Sequence, residues 1–280
     1  MFDFGFIGTG AMGGALALAV SKNEYGYNAL LSDKDSKKAE ELASKIGAES
    51  GEIKRVCEEC KFIFLGVKPQ MLKGLFDEIG EFLRARKDRF VRISMVAGTS
   101  ISRIEELAGM KCPVIRIMPS LPCSIGEGIT MASRNDEVSE DEFATFMKAM
   151  EFSGFVDEVA ESLIDVGASV SGSGPAFAFM MIEALADGAV DCGFPRDKAY
   201  KYAANMLIGS SKLFLSSGKS PSELKDSVCS PNGTTIEGVR ALEKGAFRSS
   251  VFEAVRATYE KTLKLSEKKK PKREKRYDPL

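Results

Sequence analysis

Gly8, Thr9, Gly10, Ala11, Met12 and Gly13 spell a G-x-G-x-x-G segment. It follows the apolar run Phe4–Ile7 and leads into Ala15-Leu16-Ala17-Leu18-Ala19-Val20, which suits a helix. In a strand–turn–helix setting each glycine has a task. Gly8 allows the tight turn, Gly10 lets the backbone approach a pyrophosphate, and Gly13 lets helix and strand pack closely. The amides and dipole at the helix start favour the phosphate charge. The chemistry this predicts is binding of a dinucleotide. Asp33 stands 20 residues after Gly13, where a carboxylate holds a ribose 2′-hydroxyl and favours NAD. Ser32 and Lys34 beside it, with Lys37, offer donors for the 2′-phosphate of NADP. Both NADP (as NADPH) and NAD (as NADH) therefore stand as candidate cofactors. Val67, Lys68 and Pro69 lie where the apolar run Phe62–Val67 ends. Ligands in an open parallel sheet sit beyond the carboxyl ends of its strands, so this loop is expected to wall the nicotinamide.

Two further stretches are too irregular for simple packing. Arg116-Ile117-Met118-Pro119-Ser120-Leu121-Pro122 follows an apolar run, and Ser230-Pro231-Asn232-Gly233-Thr234-Thr235 precedes the helical stretch Ile236–Lys244. Small hydroxyl residues and glycine at a helix start present free amides and hydroxyls, a ready site for a carboxylate. Ordinary capping would need only one of them. The chain contains no histidine, which excludes Ser-His-Asp and Cys-His nucleophile chemistry and removes the usual zinc ligands other than cysteine and carboxylate. Cys57 and Cys60 form a lone C-x-x-C with no second pair to complete a metal site. They are read as structural, on a short helix before a strand, and no metal is expected.

These residues need a scaffold, and the chain supplies two kinds. Up to about residue 160, the apolar runs Phe4–Ile7, Ala29–Leu31, Phe62–Val67, Val91–Val96 and Val114–Ile117 alternate with helical segments such as Ser36–Ile46, which Ser36 could cap. Phe62–Val67 shows no polar alternation, as expected of a strand covered on both faces. Strands alternating with helices predict a parallel sheet with crossover helices. From about residue 161, the stretches Ala176–Val190, Ala199–Leu215 and Ser249–Leu265 follow helical periodicity, punctuated by Pro195, Pro221 and Pro231. The expected fold is therefore α/β, an N-terminal Rossmann-like domain over 1–160 followed by an all-α domain over 161–265. Phe177, Phe179, Met180, Met181, Ile182 and Leu185 cover more than one helix face, so a second copy of the chain is expected to bury them, packing against the N-terminal domain being the alternative.

Lys and Arg number 39 against 40 Asp and Glu, which gives no reason to expect a nucleic-acid partner. From Lys264 to Leu280, however, eight basic residues face three acidic ones; the end, 266–280, reads as a solvated basic tail. The start lacks a basic leader, no segment reaches the roughly 20 apolar residues of a membrane span, and the dispersed cysteines suit a reducing cytoplasm.

These motifs, taken in order, resemble the pyrroline-5-carboxylate reductase family. The matching pieces are GFIGTGAMGGAL, VKPQ, RIMPSLP, SGSGPAFAFMMIEALADGAV with CGFPRDKA, and SPNGTTIEGVRALEKGAFRS, together spanning most of residues 4–260. The resemblance implies reduction of 1-pyrroline-5-carboxylate to L-proline with NAD(P)H. It also implies a helical dimerisation domain and, often, a higher oligomer of dimers. By motif position it places phosphates at Gly8, Gly10 and Gly13, and the nicotinamide at Val67, Lys68 and Pro69. The substrate falls at Met118, Pro119, Ser230, Gly233 and Thr234, and Thr235 is the hydroxyl beside the ring nitrogen. The chain departs from the family pattern at Asn232 (usually Gly), at Ser120-Leu121 (usually Asn-Thr) and at Gly51–Lys54, which lacks an Asn that often contacts the cofactor. A β-hydroxyacid dehydrogenase would carry a lysine soon after its Gly-rich second-domain start, and Gly172–Ala178 offers none. A dinucleotide binder without catalysis is the other alternative, distinguished by turnover.

Overall fold

The computed structural model describes residues 1–22 and 24–265, the last by its backbone alone. The basic tail at 266–280 lies outside the described residues. One compact unit covers Met1–Ser173 and takes in the chain again from Thr258; the other is Gly174–Ala257. The first unit thus runs past the compositional boundary at 160.

In chain order the first unit contains β1 (Phe2–Ile7), α1 (Ala11–Ser21), β2 (Ala29–Ser32), α2 (Ser36–Ile46), β3 (Glu49–Ser50), α3 (Ile53–Glu59), β4 (Cys60–Leu65), α4 (Leu72–Ala85), β5 (Val91–Ser94), α5 (Ile101–Ala108), β6 (Val114–Pro119), β7 (Gly128–Arg134), α6 (Glu140–Ala149), β8 (Gly154–Glu158) and α7 (Glu161–Ser171). The strands form one sheet in the order β3-β2-β1-β4-β5-β6-β7-β8. Every neighbouring pair is parallel except β6 and β7. That antiparallel pair modifies the expected parallel sheet. Residues Leu121–Ile125 make a short helical turn between the two strands, too short for a crossover.

Both faces of the sheet are covered. On one, Phe4 and Phe6 of β1 stack on their register partners Phe62 and Phe64 of β4, with ring centroids 5.1 and 4.4 Å apart, under Leu16 and Val20 of α1 and Phe146 of α6. On the other, Ile63 and Leu65 meet Val56, Cys57, Leu75, Ile79 and Ile104 from α3, α4 and α5. Alternation along each strand feeds the two cores, which explains the absence of polar residues from Phe62 to Leu65 of β4. Cys57 and Cys60 belong to the second core. Burial pushes both thiols up to about 12, so they are protonated and unreactive at neutral pH. A Cβ on Gly5 would lie 2.6 Å from the Cys60 sulfur, which fits the structural reading of the pair.

Asp35, and not Ser36, occupies the N-cap of α2, and it makes no side-chain cap bond. α7 is fastened to the sheet by charge. Arg116 on β6 is 1% exposed; it pairs with the buried Asp165 of α7 and donates to Glu161 Oε1 at 3.2 Å. That same Glu161 oxygen accepts the Ile101 amide at the start of α5 at 2.7 Å.

The second unit holds α8 (Gly174–Asp191), α9 (Arg196–Ser217), α10 (Pro221–Val228), α11 (Thr234–Lys244) and the start of α12 (Phe247–Leu265). Ser220 and Glu223 form a capping box at α10, with Pro221 in its first turn. Among its described residues only Ala186, Ala199 and Ala203 are buried hydrophobics, while Phe179, Met180, Tyr202, Leu213, Leu215 and Phe252 are exposed. Among the described residues, no helix is long and apolar enough to cross a membrane.

Candidate active site

The sheet order reverses direction between β1 and β4, and a cleft opens beyond their carboxyl ends, as at the switch point of a doubly wound sheet. The Gly8 amide donates to Ser32 O and the Gly66 amide to Ile7 O, both at 2.8 Å, so the loops after β1, β2 and β4 are tied together. Gly8 has φ +98°, and a Cβ there would fall 2.5 Å from the Gly66 carbonyl oxygen. Gly13 is equally constrained, since its Cβ would lie 2.1 Å from Gly8 O. Gly10 differs: a Cβ would meet nothing within 4 Å. That open space lies at the N-cap of α1, where no side chain caps the helix. A dinucleotide pyrophosphate fits this cradle, with the uncapped amides as its donors.

The cleft measures about 1060 Å³ and is lined by Gly8, Gly10, Ser32, Asp33, Lys34, Val67 and Lys68 among others. Thr9 and Ala11 line an adjoining shallow groove with Gly10 and Lys38. Met12, Gly13 and Pro69 line neither of these. Gly13 acts through packing, and Pro69 begins the short turn that leads into α4. The cleft also takes Glu52, Ile53, Met71 and Leu75. These were missed because they lie after β3, in the turn before α4 or on α4 itself, where only the sheet order shows that they reach this edge.

Asp33 is held closely. Its Oδ2 accepts the Thr9 amide at 2.6 Å and the Thr9 hydroxyl at 3.0 Å, while Oδ1 accepts the Asp35 amide at 3.0 Å. Burial pushes its carboxyl up, but these donors and the charge of Lys38 outweigh it and leave the group below the usual carboxylate range.

Met118 and Pro119 end β6, opposite Met131 and Thr130 of β7. Next to them, Ser120 is buried and ties the turn: its hydroxyl accepts the Ile129 amide at 2.8 Å and its amide donates to Ile129 O at 2.9 Å. Leu121 is 50% exposed. The Ser120-Leu121 departure therefore leaves a well-formed turn behind Pro119.

In the second unit, Gly233 is the N-cap of α11 and offers no side-chain cap. Asn232 adopts φ 55°, the left-handed conformation that Asn tolerates better than most residues. The Gly233 amide donates to Ser230 O at 3.0 Å, and a Cβ on Gly233 would collide with the Ser230 hydroxyl at 2.3 Å. Ser230, Thr234 and Thr235 are exposed. The turn thus gathers three hydroxyl groups and uncapped amides at one helix end, an arrangement that can hold a small carboxylate. Among the described residues, no cluster of His, Cys, Asp or Glu is suited to a metal.

Two family models match the chain. The pyrroline-5-carboxylate reductase dimerisation model covers residues 161–265, and the model for NADP oxidoreductase, coenzyme F420-dependent, covers residues 3–98. The chain is 37% identical over 265 residues to the pyrroline-5-carboxylate reductase of Escherichia coli, covering 94% of this chain and 97% of that protein. It is 41% identical over 206 residues to that of Synechocystis, covering 74% and 75%. Among solved structures, the pyrroline carboxylate reductase of Plasmodium falciparum with NADP bound superposes with a TM-score of 0.82 at 26% identity, covering 95% of this chain and 98% of that one. The Coxiella burnetii pyrroline-5-carboxylate reductase gives 0.85 at 27%, covering 94% and 98%.

Proposed function

The chain belongs to the pyrroline-5-carboxylate reductase family, and from that premise we propose how its residues reduce 1-pyrroline-5-carboxylate to L-proline, the last step of proline biosynthesis. It is an NAD(P)H-dependent oxidoreductase. The observation that carries the assignment of roles is the turn before α11, with Ser230, the Gly233 N-cap and Thr235 around uncapped amides. The substrate bears a carboxylate beside a cyclic C=N bond. The Ser230 hydroxyl and the amides of Gly233 and Thr234 hold the carboxylate, the Gly233 amide giving up its bond to Ser230 O to do so, and the helix dipole adds to the attraction. Thr235 sets its hydroxyl against the ring nitrogen, where it stabilises the protonated imine and relays its proton. Met118 and Pro119 bound the ring. The dinucleotide, with its phosphates on Gly8, Gly10 and Gly13 and its nicotinamide at Val67, Lys68 and Pro69, supplies the hydride. No strong base is needed, so a chain without histidine suffices. Orientation of this kind contributes about 7–11 kcal/mol to lowering a barrier.

Residues 161–265 serve as the dimerisation and substrate segment. Two copies cover each other's apolar helices, since exposed apolar area on this scale marks an interface. All six cysteines are free, which suits the cytoplasm.

The test is Thr235→Ala. Turnover is expected to fall about 100-fold, as when one transition-state donor is lost, with cofactor affinity unchanged and substantial recovery in Thr235→Ser. Wild-type rates in Thr235→Ala would remove the residue from the mechanism. A folded wild-type protein that binds the dinucleotide but shows no pyrroline-dependent oxidation would instead favour the binder without catalysis.

A further inference from the structure

We propose that Asp33, held in place by Thr9, decides between the two cofactors and gives the enzyme a preference for NADH over NADPH. The inference rests on the reading of this cleft as the dinucleotide site.

A carboxylate offers about four acceptor positions. Three are filled by Thr9 N–H, Thr9 Oγ–H and Asp35 N–H, and the remaining one is on Oδ1. One ribose hydroxyl can donate there. A phosphate ester is largely dianionic at neutral pH and brings no proton to donate. Nor can the carboxylate swing aside to admit it, because that would break all three bonds at once. A 2′-phosphate therefore meets a fixed negative charge.

The rest of the cleft does not offset that charge. Its wall carries Asp33, Glu40, Glu52 and Glu78 against Lys34 and Lys68. Lys37 is not part of the wall; Lys38 lines the neighbouring groove, with its ammonium 3.8 Å from Asp35. Ser32 is 5% exposed, which limits the reach of its hydroxyl. The depressed carboxyl keeps Asp33 ionised across the working pH range. Thr9 is in this view a positioning residue acting through Asp33.

The experiment is fluorescence titration of the purified full-length protein with NADH and with NADPH, without substrate, followed by kcat/KM for each. Wild type is expected to favour NADH by about tenfold, equivalent to roughly 1.4 kcal/mol. Asp33→Ser should reverse the ratio. Thr9→Val, which loses the hydroxyl donor, should move it several-fold the same way, and Thr9→Ser should retain the preference. A wild-type preference for NADPH would overturn the inference. So would an equal loss of affinity for both cofactors in Asp33→Ser, which would confine Asp33 to bracing the loop. Because binding is read without pyrroline, either failure leaves the reductase reading to its own turnover test.

Discussion

Gly10→Val is expected to leave a protein that folds and melts like wild type yet no longer binds NADH or NADPH at concentrations 100-fold above the wild-type Kd, a loss of more than about 2.7 kcal/mol. The contrast with its neighbours carries the argument. A Cβ on Gly10 meets no protein atom within 4 Å, whereas one on Gly13 would fall 2.1 Å from Gly8 O. Valine at position 10 therefore fills only open space at the N-cap of α1, where we place the pyrophosphate. Gly13→Ala should fail differently, by parting α1 from β1 and lowering the melting temperature as well as affinity. Calorimetry on both variants, with cofactor titration, checks the pair. Normal affinity in Gly10→Val would displace the phosphates from this loop.

The second large effect is on stability. Asp165→Ala should destabilise the protein by about 3–5 kcal/mol, because it leaves a buried guanidinium without its main counter-charge. Arg116 is 1% exposed and Glu161, its other partner, is shared with the Ile101 amide. For a chain of this size, each kcal/mol lowers Tm by roughly 2–4 °C. Replacing the pair together, Arg116→Met with Asp165→Leu, should restore most of the loss, since an apolar pair of similar volume avoids the desolvation cost. A change below about 1 kcal/mol in Asp165→Ala would deny the pair its role in fastening α7.

What could be read beforehand follows from the range of the interactions involved. The glycine loop is a local device, so spacing alone was enough to place Gly8, Gly10 and Gly13 at the passage from β1 into α1. α2 begins and ends where its periodicity indicated, at Ser36 and Ile46. The apolar runs became β1, β2, β4, β5 and β6. β7 and β8 escaped notice because Gly128–Arg134 mixes Thr, Ser and Arg with its apolar residues and β8 is a partly exposed edge. The bond from Thr9 to Asp33 spans 24 residues and depends on the β1–β2 register, which no local pattern encodes. Likewise Ile53 and Met71 join the cleft only through the strand order.

The second unit has three buried alanines for a core, and many of its large apolar side chains lie outside. Such a unit has little free energy of folding to call its own. When a partner of identical sequence supplies the missing cover, unfolding becomes bimolecular in reverse, and its equilibrium constant carries units of concentration. Dilution then acts on this protein as a mild denaturant, and abundance in the cell becomes one of the terms that hold the fold together.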